Sequence, residues 1–437
     1  MANATLSAAE TALATFFEQR KDDGAKALRE NAWREFARSG LPNKRVESWH
    51  YTDLRAALRE IAPPAPQGGG PVGLAAPAET LRLVLVDGAF APSASNLDAA
   101  PAGVAVESLR EALAQGDGEI MAALAPQTRD AAVLLNAALM QDGVVLRIAP
   151  GAKVATPIEL ISLFSGAGSA FTRSLVIVGA GARATILEEA PPLIFPGAQL
   201  NHALVLSLGD GASVEHVARI PGGVASSVSL QSLIATLGAE SSLNSCCLTH
   251  FATQGGGLLR RQIFARLVGA QAEIRLAGAA YLRGNDHADT TLVVRHEAPG
   301  GKSRETFRTI LDDTATGVFQ GKISVAREAQ KTDGAMHSKA LLLVDGASMN
   351  NKPELEIFAD DVLCGHGATC GRLDADQLFY LTARGIPKQE AEALLIAGFA
   401  NEAVAEVADE TLREALSDEI SGWLTARTNF ADAEKHP

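Results

Sequence analysis

Aromatic side chains make up only 5% of the 437 residues, and cysteine occurs four times. So few rings exclude a core built on large aromatic anchors and favour closely stacked backbone. Four cysteines at this length exclude a disulfide scaffold. Cys246 and Cys247 are neighbours, which disulfide geometry disfavours, and Cys364 and Cys370 read as reduced thiols. Basic clusters are missing too: runs such as Lys44-Arg45 stop at two residues, and the net charge is −13. An acidic chain repels phosphate backbones, which argues against nucleic-acid binding. The uncharged windows 190–209, 220–239 and 241–259 are interrupted by Pro, Gly, Ser, Asn or His, so none reads as a membrane helix. The first residues lack a basic-then-apolar leader. The expectation is a cytoplasmic protein with no membrane insertion.

What is present can bury a core: 47% of residues are hydrophobic and 20% charged. Residues 1–61 read as a helical region. Ser7 and Glu10 give a capping box ahead of Phe16 and Phe17, and a second helix over 26–38 stops at Gly40 and Pro42. A Pro/Gly linker spans 62–79, and 80–142 mixes strand and helix patterns. From 143 to 370 strand-length runs follow one another, among them 144–148, 158–164, 203–208, 230–237, 290–294 and 322–325. Gly-Ala recurs at 151, 181, 211, 238 and 269, in steps of 30, 30, 27 and 31. Small residues at a fixed step between strands predict one coil per repeat, as in a solenoid. The fold class is therefore mainly β: a right-handed parallel β-helix core flanked by N-terminal and C-terminal helical regions. A β-sandwich, the rival, would want two-residue hairpin turns. Helices return over 371–437, with Asp374 and Gln377 as a capping pattern, Gly385 to Pro387 as a break, and Ala391, Leu394, Leu395, Gly398 and Phe399 on one side of the next helix.

Familiar chemical motifs fail on inspection. Gly179, Gly181 and Ala184 imitate a dinucleotide fingerprint, but a strand pattern follows where a helix is required. Gly300-Gly301-Lys302-Ser303 ends like a phosphate loop, yet His296 stands where that loop needs glycine, so no ATP is expected on this chain. His296-Glu297 lacks the second histidine of a zinc protease. Cys246 and Cys247 read as packing thiols, and His337 as a surface residue. The segment Cys364-Gly-His366-Gly-Ala-Thr-Cys370 is different. It sets soft sulfur and imidazole donors among glycines, without the four-ligand spacing of structural zinc. That pattern suits transient metal handling, and equally a turn-capping His366 over a buried Cys364. Cys370 carries less weight. Asp360 and Asp361 are close enough in sequence to orient His366, although such a pair is more often just a solvated turn.

Three runs then carry a resemblance. Gly321 to Asp333, Leu341 to Ile357 and Asp361 to Thr369, extended by Asp376 to Leu381, Arg384 to Pro387 and Ala397 to Phe399, resemble the C-terminal core of the SufB/SufD family. Glu47-Ser-Trp49-His-Tyr51-Thr-Asp-Leu54 is similar to the N-terminal signature of its SufD branch, with His50 departing from the usual lysine. His366-Gly-Ala-Thr369, where the SufB branch has His-Glu-Ala-Thr, also points to the SufD branch. The resemblance implies a non-catalytic scaffold subunit for assembling iron–sulfur clusters and passing them to apoproteins. It implies pairing with a SufB-like subunit, a SufC-like ATPase docked on the C-terminal helices, and reduced flavin in some assemblies, with a homodimer as an alternative when the chain is isolated. His366 would then face a nascent, transiently shared cluster at the subunit interface, with Cys364 beside it. Two rivals stand against this: a β-helix enzyme acting on carbohydrate, for which aromatics and paired carboxylates are too few, and a purely structural interaction protein.

Overall fold

The computed structural model describes residues 6–20, 24–65, 80–250 and 256–433. Three helices come first: α1 (Ala8–Arg20), α2 (Lys26–Ser39) and the short α3 (Leu54–Ala57). The capping box forms: Ser7 N–H donates to Glu10 Oε2 at 2.8 Å, and Glu10 N–H to Ser7 Oγ at 3.2 Å. Then come β1 (Leu81–Val86), β2 (Ala89–Phe90), β3 (Val104–Ser108), α4 (Leu109–Gln115), α5 (Gly118–Leu124) and α6 (Ala131–Leu139). Of the expected 62–79 linker, Pro64 bridges Ser169 and 66–79 lie outside the described residues.

A parallel β-solenoid of about seven turns follows. Its strands are β4 (Val144–Ile148), β5 (Ile158–Leu163), β6 (Ser169–Val178), β7 (Arg183–Glu189), β8 (Gln199–Leu208), β9 (Ser213–Arg219), β10 (Val228–Leu237) and β11 (Ser242–His250). They continue as β12 (Leu258–Leu267), β13 (Glu273–Leu282), β14 (His287–His296), β15 (Lys302–Leu311), β16 (Thr316–Val325), β17 (Asp333–Leu342), β18 (Ser348–Ile357) and β19 (Leu363–Gly371). Even-numbered strands from β4 to β18 stack in one sheet and odd-numbered strands from β5 to β19 in the other, the latter reaching back to β1. At the first end β2 and β3 pair antiparallel to their neighbours. Register is strict: Ser169, Gln199, Val228, Leu258, His287, Thr316 and Ser348 stand one above another.

One corner explains the repeat and corrects its reading. Gly151, Gly181, Gly211, Glu240, Gln271, Gly300 and Lys331 all adopt left-handed φ. Each donates its N–H to a carbonyl one turn on, from Ala180 through Asp210, Ala239, Ala270, Pro299 and Gln330 to Asp361. The Gly-Ala pairs at 238 and 269 are not this position; they lie two residues before it. There the turns nearly touch: a Cβ on Gly269 would meet Ala239 N at 1.9 Å. The sequence step of 27 therefore joined two distinct requirements, positive φ and close approach.

Inward side chains such as Leu83, Leu146, Leu160, Leu204, Ile263 and Ile323 fill the space between the sheets. Phe171, Leu175, Val205, Leu230 and Ile234, on the outer face of the even sheet, pack under α1, α2 and α6. Three helices close the chain: α7 (Ala375–Ala383), α8 (Lys388–Val404) and α9 (Glu410–Ala433). The last two cover the outer face of the odd sheet, with Ile396, Ala400, Ala403, Val404, Leu416 and Ile420 on Val217, Cys246, Ala277 and Ile310. Here the expected stripe is displaced: Ala391 is buried, but Leu394 is 51% exposed. Alanine lets the helix lie close on the sheet, so the small side of α8 faces inward. Cys246 is thus outward beneath α8 and Cys247 packs with Ala218, Leu259 and Leu282, as alternation in a strand requires.

Candidate functional site

The Trp49 segment works as a strap rather than a site. Trp49 is buried, its Nε1 donates to Asp130 Oδ2 at 3.0 Å, and the Arg260 guanidinium lies 3.7 Å over its ring. Arg260 also pairs with Asp289 and donates to Ser48 O at 2.6 Å, while Thr52 Oγ1 donates to Asp289 Oδ2 at 2.5 Å. These contacts pin the N-terminal region across β12 and β14.

Inside the solenoid, Glu188 is bound by two imidazoles: His202 Nε2 at 3.2 Å and His216 Nε2 at 3.1 Å. His202 Nδ1 contacts Thr172 Oγ1 at 2.6 Å, and His216 Nδ1 contacts Ser245 Oγ at 2.9 Å. Burial pushes the Glu188 carboxyl up, but the two histidines outweigh it and hold it well below the usual carboxylate range. Every member has partners, so this is a closed internal network.

The open end of the solenoid is different in kind. β18 and β19 are the outermost strands of their sheets, and no strand of the described residues pairs with their far edges. Beside them Phe358 is 65% and Leu363 74% exposed. In β19, Cys364 stands in register with Gly334, His366 with the buried Met336, and Cys370 with Ala340. The three therefore share the inward side of the last rung, where no further turn covers them. Cys364 is half-buried; burial pushes its thiol up, opposed by the Gly334 backbone N–H. His366 is exposed and makes no hydrogen bond to another described residue. Two positions apart on one strand face, the thiol and imidazole are spaced about 6.6 Å along the chain. Cys370 is exposed and receives a hydrogen bond from Asn351 Nδ2 at 3.3 Å, while Asn351 Oδ1 accepts from Ser338 Oγ at 2.7 Å.

The aspartates do not orient His366. Asp361 pairs with Lys331 and its carbonyl closes the last corner, so its backbone and side chain both serve the turn. His337 is exposed on the outer face of β17, opposite in direction to His366, as a surface residue should be. Gly179 and Gly181 are solenoid corners before β7, with no helix to meet a pyrophosphate. No group of three or more His, Cys, Asp or Glu side chains that could hold a metal ion occurs among the described residues. The last rung thus carries a thiol and an imidazole on one side, with no complete ligand set beside them among the described residues. Sequence reasoning missed Asn351 and the buried Glu305 below this rung; counting back one solenoid repeat at a time from His366 reaches Met336 and then Glu305.

Fold and site together define a class: a two-sheeted solenoid, sheathed laterally by its own helices, that presents thiol and imidazole at one uncapped end. Residues 163–399 match the SUF system FeS cluster assembly, SufBD core domain, and residues 77–160 match the SufBD protein N-terminal region. The chain belongs to the SufBD family. It is 29% identical over 401 residues to the iron–sulfur cluster assembly protein SufD of Escherichia coli, covering 86% of this chain and 88% of that protein. It is also 29% identical to an iron–sulfur cluster assembly SufBD family protein of Synechocystis, over 87% of each chain. The SufD protein of Bacillus subtilis is 27% identical over 64% of each chain. These relatives indicate a role in iron–sulfur cluster assembly by the SUF system. Among the described residues no helix is long and apolar enough to cross a membrane.

Proposed function

We propose that this chain is a non-catalytic, cytoplasmic scaffold subunit that holds a nascent iron–sulfur cluster at the end of its solenoid, shared with a SufB-like partner. The observation that carries this is the last rung: Cys364 and His366 lie on its inward side, and among the described residues His366 is exposed without a hydrogen-bond partner and the adjoining strand edges are unpaired. Neutral imidazole and thiolate suit iron, and an incomplete donor set leaves room for ligands from another chain. Unpaired edges and exposed Phe358 and Leu363 favour a partner that continues the stack; in its absence a second copy would cover them.

The C-terminal helices α7 to α9 serve as the dock for a SufC-like ATPase. Phe379 and Tyr380 on α7 are 72% and 56% exposed, an apolar pair that a partner would cover. ATP hydrolysis belongs to that subunit, which drives this scaffold through its docked helices; completed clusters pass to apoproteins, and reduced flavin acts in the assembled complex. The test is His366→Ala co-expressed with both partners. The complex should be recovered intact while cluster absorbance is lost. Full cluster yield from the variant would reject the assignment and leave a purely structural role.

A further inference from the structure

Below the open rung lies a buried acid with no use in that scheme. Glu305 on β15 is fully buried, and among the described residues its one polar neighbour is the Ser303 hydroxyl, which does not reach good hydrogen-bond geometry with either carboxylate oxygen. A buried carboxyl with so weak a partner is costly, so its surroundings need an explanation. Register places Met336 over Glu305 and His366 over Met336. With about 4.8 Å between strands, Glu305 lies about 10 Å beneath His366.

Ser303, Gly334 and Cys364 form the adjacent column. Gly334 leaves a gap in it. A Cβ there would stand 3.3 Å from Ser303 Oγ and 3.6 Å from Cys364 Sγ, so the thiol faces the hydroxyl across the room of one methyl group. Ser303 Oγ bonds His296 Nε2 at 3.1 Å, and His296 Nδ1 has no partner among the described residues. Polar groups therefore line the interior from the last rung down to Glu305, where the rest of this layer is apolar Met336, Phe319 and Ile323.

We propose that Glu305 supplies, from inside the solenoid, the negative charge that balances a cationic iron cargo held by Cys364 and His366. This rests on the reading of the terminal site given above. Glu305 does not touch the cargo; it acts through the field along the interior. Binding one divalent cation displaces the Cys364 thiol proton as the metal–sulfur bond forms. The Glu305 carboxyl releases its own proton to solvent, so two protons leave and no electron moves. Burial pushes Glu305 up to about 8, with Ser303 and Arg304 pulling the other way, so a nearby cation can ionise it at neutral pH. The other titratable groups around it are His296, held down to about 4 by burial, Asp333, which pairs with Arg304 at 2.7 Å, and Cys364 itself.

The test uses the full chain under anaerobic conditions with Co2+ as probe, read by its thiolate absorbance. Glu305→Gln should weaken Co2+ about tenfold at pH 7.5, the scale of a charge about 10 Å away in a protein interior. It should also release one proton fewer per metal. Its thermal midpoint at pH 8.5 should hold or rise, because a neutral amide replaces a buried acid; a merely structural role would lower it. Unchanged affinity and proton count, with Cys364→Ala and His366→Ala abolishing binding, would overturn the role of Glu305 alone. If neither of those two variants affects Co2+, the terminal-site reading falls and the Glu305 assignment with it.

Discussion

Replacing Arg260 by Met tests whether the strap at Trp49 holds the N-terminal helices on the solenoid. Arg260 and Asp289 are fully buried as a pair, and Arg260 also stacks on Trp49 and binds Ser48 O. The substitution keeps most of the side-chain volume but strands the Asp289 carboxylate. Thr52 and Thr291, which donate to it at 2.5 Å and 2.9 Å, cannot neutralise it. Breaking one side of a buried pair costs about 3–5 kcal/mol, and the lost cation–π contact adds up to about 2 kcal/mol. Arg260→Met with Asp289→Leu removes the stranded charge and should recover most of the first figure, leaving a deficit of about 2 kcal/mol. Urea denaturation followed by circular dichroism gives both values, and limited proteolysis should cut the single variant first within residues 1–60. If the single variant proves no less stable than the double, the stranded charge does not govern this contact and the reasoning fails.

Two further expectations concern the solenoid itself. Glu188 has a carboxyl held below its ordinary 4.5, so the stability it contributes is present above that pH and is lost as pH falls beneath it. Glu188→Gln should therefore be destabilised at pH 7 and lose the acid-dependent part of the unfolding curve; parallel curves for both proteins would contradict the network. Gly269→Val should destabilise by more than about 3 kcal/mol, because its Cβ would meet Ala239 N at 1.9 Å, while the same change at the open Gly365 should cost far less, both read from urea midpoints.

Alternating apolar runs separated by small residues made the solenoid legible, because each strand is short and its inward positions must be apolar to stack. The corner geometry was legible only in part. Glu240, Gln271 and Lys331 take the left-handed position without glycine, their backbone held by the hydrogen bond to the next turn, so composition hides them. His366 and Cys364 stood out because glycines flank them in a segment otherwise unlike the repeat. Asp361 takes the solvated-turn reading rather than the His366-orienting one, since nearness in sequence says little in a structure whose contacts run about one turn apart: its partner is Lys331. Glu305 escaped notice for the same reason, since only the register shows that it lies under His366. The stripe on α8 was misplaced because alanine scores as weakly apolar yet packs closest.

The short antiparallel strands β2 and β3 at the first end have a consequence for assembly. They run against the direction in which the stack grows, so a parallel rung cannot be laid on them as it can on β18 and β19. Among the described residues, the stack can therefore be extended in parallel from one end alone. Two molecules meeting tip to tip cover the parallel edges that each presents there, which ends at a pair a stack that would otherwise propagate as a fibre.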